Sequence, residues 1–451
     1  MCPLSPLESF AQQICVASKI ISAYCQSSGY PHPSFDTEAP SITIPSSAPQ
    51  YILSARQTLV EAALKIQQLA TEPSDYLPRL TIQYQHLSCL RWLCHFRILS
   101  FVPLHGSAPY ADVAVAAGVP ESHLKRVARM AMTSNFLCEP VAGELAHNAN
   151  SALLVTNPKF LDWALFMTES SAPTASKMVE ATDRWGETSA KEQTAYNIAM
   201  KTELSFFDHL SCSSHLERQF AAYMKNATSS EGTSMKHLVN GFDWASLREA
   251  TIVDVGGSSG HASIALASSF PQLNCIVQDR ADTLASCKTN LASLPDSVSS
   301  RISFQPHDFF GPQPVKGADV YLLRMILHEW PTGDAAKILA NLALALKPGA
   351  RILVMDTVLH SPGSIPTHEE ALLRARDLTM LQVFNSQERD LGDWTRLLAQ
   401  TECNLSLKSV RHPFGSLMSV MEVVQGPTRL TEEAKSFHPF VAETPMPIAI
   451  L

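Results

Sequence analysis

Asp254, Gly256, Gly257 and Gly260 lie in the stretch Thr251-Ile-Val-Asp-Val-Gly-Gly-Ser-Ser-Gly260. They join a carboxylate to a turn whose backbone can approach a ligand closely. Asp279 ends Cys275-Ile-Val-Gln-Asp279, about two dozen residues further on, the spacing at which open α/β sheets hold a ribose diol. The dinucleotide pattern G-x-G-x-x-G fails: from Gly256, the third position is Ser258 and the sixth is His261. No P-loop lysine follows, so a triphosphate has no cradle. A ligand with an amino-acid head, a ribose, an adenine and no phosphate suits this arrangement, and S-adenosylmethionine is such a ligand. Asp308, with Phe309 beside it, follows the short strand Ile302-Ser-Phe-Gln-Pro and is expected within reach of the adenine amino group.

A second group of residues suits proton transfer. His328 stands in Met-Ile-Leu-His328-Glu329-Trp330-Pro331, directly after the apolar run Ala318-Asp-Val-Tyr-Leu-Leu-Arg324. Imidazole titrates near neutral pH and is the usual general base. Most of the 16 histidines in the chain are expected to be structural; the surrounding motif sets His328 apart. Met380 and Phe384 are spaced i, i+4 on one helical face and can hold a flat aromatic acceptor, although the same spacing suits core packing.

The elements that must position these groups follow from hydrophobic patterning. Ile252, Val253 and Val255 suit a strand buried on both faces. Asp334 to Lys347 has helical apolar spacing and stops at Pro348-Gly349, and Arg351-Ile-Leu-Val-Met-Asp356 is another strand ending in an acid. Strand and helix alternate, which predicts an α/β fold with a doubly wound, mostly parallel sheet.

Taken together, Asp254-Val-Gly-Gly-Ser-Ser-Gly260, His328-Glu329-Trp330 and the strand ending at Asp356 resemble the motifs of plant caffeate/flavonoid-type O-methyltransferases and their fungal relatives. The likeness is to the fungal branch that methylates phenolic polyketides, the sterigmatocystin O-methyltransferase type, and spans roughly residues 55 to 425. It implies a C-terminal Rossmann-like class I methyltransferase domain, an N-terminal, mostly helical winged-helix dimerisation domain, and a homodimer. It also implies S-adenosylmethionine as cofactor, His328 as base, and Asp356 and Glu388 as the flanking acids. Tyr196, Asn197 and Met200, with Phe206 and Phe207, would line the far wall of the substrate pocket. Two positions depart from the plant pattern: Ser258 replaces a third glycine, and Arg324 stands where many members carry a lysine near the adenine. Some fungal relatives of this fold bind the cofactor yet promote dehydration or pericyclic rearrangement; retention of His328, Asp356 and Glu388 favours methylation.

The remaining features narrow the class. The 451 residues allow two domains, and a net charge of −8 argues against nonspecific nucleic-acid binding. Ten cysteines without a C-x-x-C pair predict reduced thiols rather than zinc or disulfides. Small catechol methyltransferases hold Mg²⁺ with grouped carboxylates and amides but lack a long N-terminal region, and here a His follows the Arg324 strand, so no metal is expected. No leader pattern and no long apolar run is present, which predicts a soluble cytoplasmic protein without membrane contact.

Tyr110 to Met130 reads as helix, glycine turn, helix, and Asn135 to His147 as a wing. That is a DNA-reading shape, and a transcription factor is the competing reading. Its second helix offers only Lys125, Arg126 and Arg129, too few cations on an acidic chain. The expected segments are 1–50 (a helix, then a Ser/Pro-rich flexible linker over 27–50), 51–180, 181–425, and a tail over 426–451.

Overall fold

The computed structural model describes residues 4–228, 231–285 and 294–426. Two compact units form. The first holds residues up to Lys177 together with Ile198–Ala227, and the second holds Met178–Asn197 together with residues from Thr228 on. Residues 198–227 join the first unit because Phe220 packs on Phe166 and Phe206, and Tyr223 stacks on Phe166. The expected tail lies outside the described residues, apart from Gly426.

In the first unit, helices Pro6–Ser28 and Gln50–Ala70 pack on each other around Ala17, Ile21, Cys25, Ile52 and Ala55. Ser5 caps the first of them through a reciprocal bond with Glu8, satisfying otherwise orphaned N–H groups. The segment expected to be a flexible linker contributes Ile44 and Ala48 to the same cluster. Two apolar side chains suffice to fold a Ser/Pro-rich loop back onto the helix pair.

A winged-helix module follows. Its strands β1 (Ser107–Pro109), β2 (Cys138–Val141) and β3 (Glu144–Ala146) form an antiparallel sheet in the order β1-β3-β2. Helices Tyr110–Ala117 and Glu121–Met132 cover it, with Tyr110, Val113, Leu124 and Leu145 in the core. Gly118 (φ 67°) takes the left-handed turn between them, where a side chain would be strained.

The second unit is built on a seven-stranded sheet. In chain order its strands are β4 (Ala250–Val255), β5 (Leu273–Asp279), β6 (Ile302–Pro306), β7 (Val320–Arg324), β8 (Arg351–Asp356), β11 (Leu405–Arg411) and β12 (Ser419–Gln425). A separate two-residue pair, β9 (Val358–Leu359) and β10 (Arg389–Asp390), runs parallel. The large sheet has the order β11-β12-β8-β7-β4-β5-β6, parallel except at β12, which runs against both β8 and β11. Both faces are buried, as the continuous apolar runs require. Val253, Val255, Tyr321, Leu323 and Val354 face one cluster, and Ile252, Val320, Leu322 and Leu353 face the other. Strand order reverses between β4 and β7, so a crevice opens beyond their carboxyl ends, where ligands bind in such sheets.

Candidate active site

The registers of β4, β5, β7 and β8 bring Val255, Asp279, Arg324 and Asp356 to one edge of the sheet. Each of these strands ends there in, or next to, a residue singled out above.

The loop after β4 is shaped by its glycines. Gly256 (φ 72°) and Gly260 (φ 76°) take left-handed conformations, and the N–H groups of Gly256 and Gly257 donate to the Gln278 carbonyl at 2.8 and 3.0 Å. A Cβ on Gly257 would sit 2.6 Å from the Asp254 carboxyl carbon. Asp254 has no room to yield: it is 2% exposed and its carboxylate accepts the Ser263 hydroxyl at 2.7 Å. Burial pushes its pKa up to about 6 against the pull of Ser263 and Arg324.

Ser258 adopts φ 48°, the region that favours glycine, and its N–H donates to Asp279 Oδ2 at 2.9 Å. The Arg280 N–H holds the other oxygen at 2.8 Å. The Asp279 carboxylate is thus fixed beside the glycine loop. Asp308 lies beyond β6 and accepts the Phe310 N–H at 3.0 Å. Phe309 packs edge-on against Phe310 and Trp330 and borders the space above Gly256. Arg324 turns its Nη2 to the Thr233 carbonyl at 2.7 Å, with Asp254 and Asp356 as its opposite charges. A backbone cradle that a Cβ would fill, with a fixed carboxylate at its rim, fits the amino-acid head and ribose of S-adenosylmethionine.

Beside the cradle the chain turns tightly through Leu327–Glu329. His328 is 7% exposed, and its Nδ1 lies 2.9 Å from Glu388 Oε1, although 60 residues separate them. Nε2 points to Asp356 Oδ1 at 4.0 Å and has no hydrogen-bond partner. Both Asp356 oxygens are buried and also lack one. Burial alone lowers the His328 pKa, but the charges of Glu388 and Asp356 prevail and raise it from 6.5 to about 10. Burial would raise Glu388, yet His328 outweighs it and the carboxyl falls below its ordinary value. Asp356 is pushed up to about 6 by burial. The arrangement is a buried imidazole with one nitrogen fixed by a carboxylate and the other, Nε2, without a hydrogen-bond partner.

Helix Thr367–Phe384 packs against this turn, with Met380 buried and Phe384 half-buried on one face. Tyr196 and Asn197 are buried in the second unit, where Asn197 Oδ1 accepts the Thr194 hydroxyl at 2.6 Å. Burial raises the Tyr196 phenol well above 10. Met200 belongs to the first unit, as do Phe206 and Phe207.

Sequence reasoning passed over several residues around His328. Ser386 donates to the His328 carbonyl at 2.6 Å, and Arg389 donates to the carbonyls of Leu327 and Trp330 at 2.7 and 2.8 Å. Asn385 donates to the carbonyls of Ala190 and Gln193, and Lys191 lies 4.0 Å over the Trp330 ring. No spacing rule announces side chains that bond to distant backbone. Among the described residues, no group of three or more His, Cys, Asp or Glu is disposed to hold a metal ion.

Comparison with known proteins assigns the family. The model of the O-methyltransferase domain matches residues 187–402. A model described as the N-terminal domain of the trypacidin cluster transcriptional coactivator tpcD matches residues 4–71. O-methyltransferase VdtC of Byssochlamys spectabilis is 53% identical over 94% of this chain and 99% of its own. O-methyltransferase aurJ of Gibberella zeae is 47% identical over 92% and 96%. Among solved structures, one described as a pericyclic reaction enzyme superposes with a TM-score of 0.69 over 92% of this chain and all of its own. At 20% identity, that likeness concerns the fold alone. With relatives this similar along nearly its whole length, the chain belongs to the O-methyltransferases and is an S-adenosylmethionine-dependent enzyme.

Proposed function

We propose that the enzyme methylates a phenolic hydroxyl of a flat aromatic, polyketide-type acceptor, with His328 as general base. The observation that carries this reading is the buried imidazole whose Nδ1 is held by Glu388 while Nε2 has no partner. S-adenosylmethionine, when bound, supplies an electrophilic methyl group on a sulfonium. A neutral phenol attacks it poorly, and transfer of its proton to Nε2 provides the phenolate. Glu388 holds the tautomer with the proton on Nδ1 and stabilises the imidazolium that forms. Asp356 adds its charge on the opposite, Nε2 side of the ring.

In this reading the Gly256–Gly260 loop and Asp254 cradle the amino-acid head, with Arg324 nearby. Asp279 takes the ribose diol, and Asp308 and Phe309 border the adenine. Met380, Phe384, Tyr196 and Asn197 border the acceptor. A non-methylating step on a bound acceptor is the second reading.

We also propose a homodimer formed through helix Tyr76–His95. Its residues Tyr76, Leu77, Leu80 and Tyr84 form an exposed apolar stripe at near i, i+4 spacing. DNA contact is disfavoured, because Lys125 is paired with Glu121 and Arg129 with Glu139. A cytoplasmic location accords with the free thiols of Cys89 and Cys94. No helix among the described residues is long and apolar enough to cross a membrane.

The test is release of S-adenosylhomocysteine by purified protein given S-adenosylmethionine and a panel of phenolic polyketides, beside His328→Gln. The variant is expected to bind cofactor normally and to lose on the order of 10²–10⁴-fold in kcat. Near-normal turnover would remove His328 from the chemistry. An acceptor altered while cofactor is not consumed would establish the second reading instead.

A further inference from the structure

The turn that carries His328 is barely held by its own bonds. Within it, Glu329 N–H reaches the Ile326 carbonyl at 3.2 Å and Trp330 N–H the Leu327 carbonyl at 3.3 Å, both long. The short bonds come from outside, all from one loop. Ser386 takes the His328 carbonyl, Arg389 takes the carbonyls of Leu327 and Trp330, and Glu388 takes the imidazole. Three of the four backbone carbonyls from Leu327 to Trp330 are therefore fixed by side chains within residues 386–389.

That loop is itself anchored. Asp377 accepts the Glu388 N–H at 2.9 Å, β10 pairs Arg389 with Val358, and the guanidinium lies 5.5 Å from the Trp394 ring. Arg389 is only 1% exposed. A buried guanidinium is costly unless its surroundings make use of both its fork and its charge. The fork spans the two carbonyls on either side of the His328-Glu329 pair. The charge faces Asp356, Glu388 and Asp393.

We propose that Ser386 and Arg389 are positioning residues for methyl transfer, clamping the His328 turn so that Nε2 is aimed at the acceptor hydroxyl, with the Arg389 charge offsetting the Asp356–Glu388 pair. This rests on His328 acting as the base. Proton transfer and in-line attack both depend on sub-ångström placement, and a misplacement of about 1 Å can cost on the order of 10²-fold. The clamp thus acts on kcat rather than on binding.

Three variants separate geometry from charge. Ser386→Ala removes one clamp with minimal change in shape. Arg389→Lys keeps the charge and loses the fork, and Arg389→Met loses both. His328 is faced by Glu388, Asp356 and Glu329, and Glu388 also by Arg376. Those carboxylates hold the imidazolium proton, and Arg389 opposes them. Because the base must be neutral, the kcat profile has a limb that rises with pH.

Ser386→Ala and Arg389→Lys are expected to lower kcat about tenfold or more, with the limb unmoved and KM, cofactor affinity and melting temperature near those of the parent. Arg389→Met is expected to lower kcat and also move the limb to higher pH, by on the order of one unit. Parent-like kcat in both Ser386→Ala and Arg389→Lys would overturn the proposal. So would a kcat loss matched in both by equal losses of cofactor affinity and melting temperature, since that describes scaffolding. If the Arg389 variants do not fold, Ser386→Ala decides the clamp by the same criteria. His328→Gln alongside tells the two readings apart: its normal turnover removes the base itself, whereas its inactivity beside parent-like clamp variants removes only the clamp.

Discussion

Glu388 and Asp356 both raise the His328 pKa, but from opposite sides of the ring. Glu388 is bonded to Nδ1 at 2.9 Å, while Asp356 faces Nε2 at 4.0 Å without a hydrogen bond. The two substitutions should therefore differ in kind. Glu388→Gln removes a carboxylate that holds the proton on the ring, so the rising limb of the kcat–pH profile is expected to move to lower pH. It also loosens the tautomer and orientation, so maximal kcat should fall as well, on the order of 10²-fold or more. Asp356→Asn should move the limb in the same direction with a smaller loss at the plateau. A plateau loss in Asp356→Asn equal to that in Glu388→Gln would give Asp356 a contact role in place of an electrostatic one. His328 is legible in the sequence from its motif, and Glu388 and Asp356 from the family likeness. Ser386 and Arg389 are not, because their bonds run to carbonyls about 60 residues away.

At the scale of elements, the glycine loop and the strand ends were the most legible part. Continuous apolar runs mark strands buried on both faces, and β8 begins and ends at the residues expected, Arg351 and Asp356. Elements held by very few bonds carry no such signal. The His328 turn, the two-residue pair β9–β10 and the burial of Ile44 in the Ser/Pro-rich loop depend on distant partners. The loop itself allows a sharp contrast. In Gly257→Ala the new Cβ meets the Asp254 carboxyl at 2.6 Å, and Asp254 is pinned by Ser263. Either the loop or the carboxylate must shift, and cofactor affinity is expected to fall at least about tenfold, roughly 1.4 kcal/mol. Gly333, inside helix Thr332–Ala343, has nothing within 4 Å of its Cβ position. Gly333→Ala should leave affinity unchanged and stabilise the fold by about 0.5–1 kcal/mol. Calorimetric titration of both variants checks the pair; equal affinities would mean that the loop tolerates displacement and that the cofactor is held elsewhere.

For the whole molecule, the open matter is what covers the first unit's apolar helix. Tyr76 and Leu77 are 65% and 69% exposed, and Leu80 and Tyr84 extend the same stripe. Stripes of this kind on a monomer invite association, and soluble chains bury them against a partner. A second copy is the simplest partner, because a closed two-fold pairing lets one self-complementary patch serve both chains. The net charge of −8 adds repulsion between copies, so the apolar contact must outweigh it. Leu77→Glu with Leu80→Glu places two further negative charges in each half of such an interface, where desolvation and like-charge repulsion both act against pairing. The parent is expected to sediment at twice the chain mass and the double variant at the chain mass, with far-UV circular dichroism unchanged because both side chains are exposed. A parent that already sediments as a monomer would refute the homodimer, and a variant that stays dimeric would move the interface off this helix. If the variant is monomeric and still turns over, each site is complete within one chain. If it is monomeric and inactive while still binding cofactor, the acceptor side of the site depends on the pairing.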